Sequence, residues 1–328
     1  MKKSLFMIPV AALAFSACSN DTVVSENNTV NQPKEIAFSP IAQPSTRAAV
    51  EGTTFPTGQD IYVAAYNATK SANFFSQTTF DEDGSTGKWK ASPAKYWPLE
   101  DATINFLAYT GITGGTFDST NPASRVTIAL SDNSTNQYDL MYACGRGSRT
   151  SGSSASDVSM NFKHAQALIK FTVQSAADYG TALKLTNIVL TGAHYSGTYT
   201  IDNSSNYNST NSEYSATQGT WTSVNTQANV TRTPSWENDN KVTTTAQAVG
   251  EGILVVPDDN DETDDYTSFT INYTLDGLVY SYTYTPADLD VHQAKKYTFA
   301  ITMTLNEIII APTVTDFVEE NNNAVNVQ

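Results

Sequence analysis

Several segments of the chain alternate apolar and polar residues with a period of two, which is typical of β-strands with one buried face. Residues 167–174 and 297–304 show this alternation clearly. Residues 269–284 form two such arms around Asp276 and Gly277, a pair that favours a two-residue hairpin turn with positive φ. No long segment has the 3.6-residue period of a helix, so we predict an all-β protein.

The first half of the chain predicts shorter strands separated by turn residues. They are expected around residues 61–66, 103–109 and 125–130. Residues 145–156 are rich in Gly and Ser and are interpreted as an exposed flexible loop. Because 328 residues exceed the usual size of one folding unit, we place a domain boundary at this loop, with domains over residues 48–156 and 157–328. Residues 203–240, rich in Ser, Asn and Thr, are interpreted as a loop or irregular hairpin.

The N-terminus has the pattern of an export signal, in which two lysines precede a short apolar run that ends in small residues. Residues 16–18, Ser-Ala-Cys, resemble a bacterial lipobox, although Phe15 stands where such sequences usually carry Leu. We predict a signal peptide over residues 1–17 and lipidation of Cys18. A plain signal peptide cut near Ala17 is the alternative.

Residues 18–47 are predicted to form a leader between the lipid and the folded domains. The first part of the leader is polar and cannot bury enough apolar surface to order itself. A strand-like piece follows at residues 34–41, with Ile36 and Phe38 on one face. Arg47 then lies among Pro, Ser, Thr and Ala, in the type of exposed segment that proteases reach. The alternative is that Arg47 is simply a surface residue of a linker.

The composition fits an exported β-protein and excludes some classes of partner. Hydrophobic residues make up 40% of the chain and charged residues 16%, which suits pleated strands joined by polar turns. A formal net charge of −15 repels phosphate backbones, so we expect no nucleic-acid partner. Cys144 and Cys18 are the two cysteines, so lipidation would leave no intrachain disulfide, and Cys144 is predicted to be a small buried strand residue.

Motifs that could carry catalysis or bind a metal are incomplete. Residues 92–95 and 131–133 imitate two signatures of penicillin-binding enzymes, but the sequence contains no Lys-Thr-Gly or Lys-Ser-Gly. The histidines are far apart and lack metal-type spacing. The acidic run from Asp258 to Asp265 is interpreted as a solvated loop in preference to a calcium site. We therefore expect no enzymatic activity, no cofactor and no metal.

Three motifs in a fixed order connect the chain with a known family. Residues 138–143 read Tyr-Asp-Leu-Met-Tyr-Ala, residues 162–165 read Phe-Lys-His-Ala, and residues 168–171 read Leu-Ile-Lys-Phe. Together with the lipobox, the Thr-Arg-Ala site at Arg47 and the C-terminal Thr-Val-Thr-Asp-Phe at residues 313–317, they resemble the fimbrillin family, the type V pilins of Gram-negative anaerobes.

The resemblance implies a fold and a route of maturation. Family members have two transthyretin-like β-sandwich domains in tandem, and they reach the outer membrane as lipoproteins before they appear in the surface fimbrium. An Arg-specific protease then removes the leader with its strand, and a strand from a neighbouring subunit fills the groove. On this chain the cut would fall between Arg47 and Ala48, and the displaced strand would carry Ile36, Phe38 and Ile41. Burying such side chains again would contribute on the order of 5 to 9 kcal/mol before ordering costs.

The family pattern places the donor strand near the C-terminus, in residues 307–318. Its apolar side chains would be Ile308, Ile310, Val314 and Phe317. The alternative is that this strand completes its own second domain, as in a subunit at the end of a fibre. The sequence leaves open whether the subunit belongs to the stalk, the tip or the anchor.

Two functional hypotheses therefore remain. The first is a fimbrial subunit that serves adhesion, with other fimbrial subunits, the processing protease, a surface receptor or glycan, and the outer membrane as partners. The second is a monomeric glycan-binding surface lipoprotein or a fimbrial tip adhesin, in which exposed aromatic residues such as Trp221 or Trp236 act as sugar platforms.

Overall fold

A computed structural model describes residues 33–41, 55, 58–151, 155, 157–210, 214, 218–257, 268–286 and 291–317. Strands make up nearly all of the regular secondary structure in these residues, which confirms the predicted all-β class. No helix in this part of the chain has the length and apolar character needed to span a bilayer.

The strands of the first part of the chain are β1 Ala37–Ile41, β2 Ile61–Asn67, β3 Ala72–Asp83, β4 Lys88–Ala91, β5 Ala102–Thr110, β6 Thr116–Phe117, β7 Arg125–Leu130, β8 Met141–Arg149, β9 Val158–Asn161 and β10 Lys163–His164. Those that follow are β11 Ala167–Ser175, β12 Leu183–Thr191, β13 His194–Asp202, β14 Thr220–Gln227, β15 Val230–Arg232, β16 Gln247–Ala248, β17 Ile253–Val255, β18 Ser268–Leu275, β19 Leu278–Tyr284, β20 Lys295–Met303 and β21 Ile308–Asp316. A single short turn with left-handed backbone angles, α1 Glu237–Asn240, separates β15 from β16.

Two sheets build the first body. One has the order β10-β8-β5-β2-β3-β4-β1-β9, and the other has the order β14-β13-β7-β6. The central strands β2 and β5 are buried on both faces. Because side chains alternate between faces, Val63 and Phe106 enter a core that the larger sheet encloses by curling on itself, while Tyr66 and Leu107 pack against the smaller sheet. The first body therefore has two cores on opposite sides of the same strands.

The second body has two further sheets, with the orders β16-β11-β20-β21 and β15-β12-β18-β19. Strand β17 extends the first of these sheets by pairing with β11. Inward-facing residues such as Ile169, Phe171, Phe269 and Phe299 form one core between the sheets. The three alternating segments identified in the sequence are β11, the β18–β19 hairpin and β20. Asp276 and Gly277 occupy the hairpin turn with the positive φ angles that such a turn requires.

The interpretation of residues 145–156 as a flexible loop is wrong for residues 145–149. Those residues form the end of β8, which pairs along its length with β5, and Arg149 is buried. Packing requires glycine at position 145, because a Cβ atom there would lie 2.2 Å from the sulfur of Met160 on β9.

The predicted boundary after residue 156 does not coincide with the way the sheets assemble. Strands β9 and β10 belong to the larger sheet of the first body, and β13 returns to pair with β7. Within residues 203–240, β14 continues the same sheet from β13, so this stretch contains a regular strand. The first body therefore takes its strands from both sides of residue 156.

Candidate strand-exchange site

Strand β1 lies inside the larger sheet of the first body, between two strands that are distant in sequence. It pairs antiparallel with β4, where Phe38 is opposite Trp89, and parallel with β9, where Phe38 is opposite Val158. In the described residues, β9 has no ladder partner other than β1. Removing β1 would therefore leave β4 and β9 with facing rows of unpaired backbone groups.

The side chains of this segment fill the enclosed core of the larger sheet. Ile36 and Phe38 are both 0% exposed. The Phe38 ring makes edge contacts with Phe80 at 4.7 Å and Phe106 at 5.1 Å between ring centroids. Burial of these two side chains contributes about 3 to 6 kcal/mol.

The start of the segment is held by backbone bonds and a weak electrostatic contact. The Ile36 amide donates to the Lys95 carbonyl at 2.7 Å, and the Trp97 amide donates to the Lys34 carbonyl at 2.9 Å. The Lys34 ammonium lies 3.5 Å from the Asp157 carboxylate. A hydrogen bond from Lys88 is the largest cause that holds the pKa of Asp157 below its usual range. Because these charged side chains are partly exposed, apolar packing dominates the attachment of β1.

Most of the other residues that were singled out in the sequence lie outside the described part of the chain. Ile41 is the last residue of β1 and its backbone pairs with Asn161, but its side chain is not among those described. Cys18, Arg47 and Ala48 lie outside the described residues, and so does the acidic run from Asp258 to Asp265.

The predicted donor strand is β21, which occupies the edge of its own second body. It pairs antiparallel with β20 over nine residue pairs. Ile308 and Ile310 pack against the core, whereas Val314 is 53% exposed. Phe317, just beyond the strand, is buried and stacks on His164 with ring centroids 3.7 Å apart. In this structure the C-terminal strand is retained, with one poorly covered edge and one anchored end.

Comparison with known proteins identifies the type of protein to which this arrangement belongs. Residues 46–316 match a family described as fimbrillin-like. The chain belongs to the fimbrillin-like family. This confirms the resemblance noted from the sequence motifs, and it supports a structural or adhesive role in preference to catalysis.

Several solved structures of other proteins have the same fold as this fimbrillin-like chain. A proposed cell adhesion protein from Bacteroides uniformis is 15% identical, with a TM-score of 0.52, and the match covers 88% of this chain and 100% of that one. A proposed cell adhesion protein from Bacteroides ovatus is 14% identical, with a TM-score of 0.52 and coverage of 88% and 99%. A fimbrial protein from Bacteroides vulgatus is 16% identical, with a TM-score of 0.50 and coverage of 88% and 100%. No curated protein matches the chain.

Several side chains of the fimbrillin-like chain that were weighed for other chemistry have structural settings. Cys144 lies on a strand, β8, as expected, but the residue is only partly buried. Desolvation raises the pKa of its thiol to about 11. Trp221 is fully buried, which is incompatible with its suggested role as a sugar platform. Trp236 is half-buried, packs against the second core and donates its indole N–H to the Ala248 carbonyl. Among the described residues, no group of His, Cys, Asp and Glu is arranged to hold a metal ion.

Sequence reasoning identified the strand that fills the groove but missed the residues that line it. Phe80, Trp89, Phe106, Val158 and Met160 come from four different strands, and they meet Ile36 and Phe38 in one core. Of these five residues, only Phe106 lies in a strand that the sequence analysis predicted. Their common position around β1 required the pairing of strands that are more than a hundred residues apart.

Proposed function

We propose that this fimbrillin-like chain is a structural subunit of a cell-surface fimbrium, exported as a lipoprotein on Cys18 and polymerised by strand exchange after cleavage at Arg47. The observation that carries the proposal is the position of β1. The segment from Ile36 to Ile41 buries the Ile36 and Phe38 side chains fully, and its strand β1 lies between β4 and β9. Cleavage between Arg47 and Ala48 would disconnect this segment from the rest of the fold.

Loss of β1 would leave a groove that contains both unpaired backbone groups and exposed apolar side chains. The backbone groups of β4 and β9 that face β1 need a new strand, and the space around Phe80 and Phe106 needs apolar side chains. An extended segment from another chain supplies both through strand addition. The groove therefore favours a β-strand with apolar residues two positions apart.

The C-terminal strand of a neighbouring subunit has a matching pattern. The segment from Ile36 to Pro40 has apolar side chains at its first and third positions and proline at its fifth, and so has the segment from Ile308 to Pro312. We infer that Ile308 and Ile310 take the places of Ile36 and Phe38. In this register the neighbour's Ala311 lies opposite Ser159, which faces Ser39 before cleavage. A subunit that keeps β21 on its own sheet would end the fibre.

Processing of the purified precursor tests the proposal directly. An Arg-specific protease should produce a chain that begins at Ala48 and forms fibres, visible by electron microscopy and by size-exclusion chromatography. Arg47→Gln should block both results, whereas Arg125→Gln, at an exposed arginine that pairs with Asp202, should leave them unchanged. A chain that begins at Ala48 and stays monomeric under all conditions would contradict polymerisation by strand exchange.

Disulfide trapping tests the register. In a Cys144→Ala background, Ser159→Cys combined with Ala311→Cys should link subunits into ladders on a non-reducing gel after cleavage. Ser159→Cys combined with Thr313→Cys is the matched control, displaced by two residues, and should link poorly. Equal yields from the two pairs would overturn the register.

The lipid anchor is tested separately. Cells fed a labelled fatty acid should incorporate the label into the wild-type precursor and not into Cys18→Ser.

A further inference from the structure

A cleft at one end of the first body lies apart from the strand-exchange site. It has a volume of about 320 Å³. The turn after β5, including Gly111 and Thr113, forms one side, and the end of β7 with the loop that follows forms the other. Tyr138 is also part of the lining. The volume is at the lower end of the range for small-molecule pockets, about 300 to 1,000 Å³.

Hydrogen bonds to the buried Asn133 fix the loop that carries Tyr138. Asn133 is buried, and its side chain accepts a hydrogen bond from the Tyr138 amide at 2.7 Å and donates one to the Tyr138 carbonyl at 2.8 Å. The Asn133 amide donates to the Tyr195 carbonyl at 2.9 Å. Gln137, with a φ of 53°, donates its amide to the Asn133 carbonyl. These bonds fix the backbone of Tyr138 before any ligand arrives, which reduces the entropic cost of binding.

A close backbone approach shapes the opposite side. A Cβ atom on Gly111, whose φ is +94°, would lie 1.8 Å from the Asp139 carbonyl oxygen. Only glycine allows the turn after β5 to approach the Tyr138 loop so closely. The two sides of the cleft are therefore held against each other by main-chain packing.

The lining combines an aromatic ring with neutral and acidic polar groups. The Tyr138 side chain is 47% exposed. Asp132 and Asn136 are exposed at the same cleft, and Ser131 and Thr113 add hydroxyl groups. The Asp132 carboxylate accepts a hydrogen bond from the Ser134 amide at 2.9 Å, which holds its pKa below the usual range and keeps it ionised at neutral pH. The lining contains no Lys or Arg, so it does not favour a phosphate, a sulfate or another anion.

We propose that this cleft binds a neutral saccharide, with one face of a sugar ring on Tyr138 and ring hydroxyls hydrogen-bonded to Asp132 and Asn136. A sugar ring has an apolar C–H face and a rim of hydroxyl groups, which correspond to the aromatic and polar parts of the lining. The cleft would hold one or two sugar rings at a rigid site whose polar lining groups are neutral or acidic. The inference rests on the proposed location of the chain at the cell surface and adds a ligand class, but it does not depend on polymerisation.

Saturation-transfer NMR on the full-length, uncleaved precursor tests the site. The probes are the methyl glycosides of galactose, glucose, mannose, fucose and N-acetylglucosamine, with a sulfated galactoside and sialic acid as anionic comparisons. At least one neutral glycoside should receive saturation at the protons of one ring face, and titration calorimetry should give its affinity. Transfer to none of the neutral probes, or stronger binding of the anionic ones, would overturn the proposal.

Matched variants locate the binding. Tyr138→Ala should weaken binding about tenfold or more, and Tyr138→Phe should retain it, because the ring face is kept. Asp132→Asn should weaken it by a smaller factor. Tyr282→Ala, at another exposed tyrosine on β19, is the control and should have no effect. If Tyr138→Ala and Tyr282→Ala bind equally well, the cleft is not the site. Fibre formation by Tyr138→Ala after cleavage, measured in parallel, separates a failure of this site from a failure of assembly.

Discussion

Replacing Phe38 by alanine tests whether β1 is an essential part of the precursor core. The ring is fully buried and makes edge contacts with Phe80 and Phe106. Truncation of a buried phenylalanine costs about 3 to 5 kcal/mol, because the apolar burial is lost and a cavity remains. For a body of this size that corresponds to a fall in Tm of roughly 6 to 20 °C. Unfolding by guanidinium, followed by tryptophan fluorescence, gives the free energy, since Trp89 and Trp97 lie in the same core.

The control and the processed protein make this test specific. Ser39→Ala changes the neighbouring, partly exposed position on β1, and it should alter the free energy of unfolding by about 0.5 kcal/mol or less. After cleavage at Arg47, the Phe38→Ala chain is chemically identical to the wild-type chain, so its fibres should be equally stable. They should also form faster, because the leaving strand is held less tightly. A loss below about 1 kcal/mol in the precursor would refute the view that β1 completes this core.

Three further predictions concern packing and ionisation. Gly145→Ala should lower the free energy of unfolding by about 1 to 3 kcal/mol in thermal denaturation, because the new methyl group collides with a β9 side chain, whereas Gly84→Ala, in open space, should have little effect. Burial raises the pKa of the Cys144 thiol from 9.0 to about 11, so iodoacetamide at neutral pH should label the folded chain far more slowly than the unfolded chain, and equal rates would contradict the burial. The protonated thiol is favoured in the folded state, so its contribution to stability is complete at neutral pH and is lost as the pH rises from about 9 to about 11. Phe317→Ala should cost about 3 to 5 kcal/mol and speed amide hydrogen exchange in β21, whereas Val314→Ala, at a half-exposed position, should change both only slightly.

The local pattern of the sequence was sufficient for the class of the fold and for several of its strands. Alternation of apolar and polar residues predicted β11, the β18–β19 hairpin and β20. Strands β11, β18 and β20 place alternate side chains in the second core, whereas β19 is exposed along most of its length. The same reasoning placed Ile36 and Phe38 on one face of a leader strand, and both enter the first core. The order of the short motifs identified the family.

Glycine and serine content misled the sequence reasoning at residues 145–149. Small residues are common in flexible loops, but they also occur where two strands approach closely, and composition does not distinguish the two cases. Here the side chain of Met160 crosses β8 at Gly145. The nature of this segment depended on a neighbour that is not adjacent in the sequence.

What the sequence alone determined was therefore periodic and local: the all-β class, several strand positions and the family. The leader and its processing site at Arg47 stay predictions. The tertiary structure decided what depends on distant pairing, namely the insertion of β1 between β4 and β9, the return of β13 to β7, and the burial of Trp221. The physical reason is that alternation shows that a residue has a buried face, but it does not show which strand covers that face. The groove and the cleft are both formed by such long-range contacts.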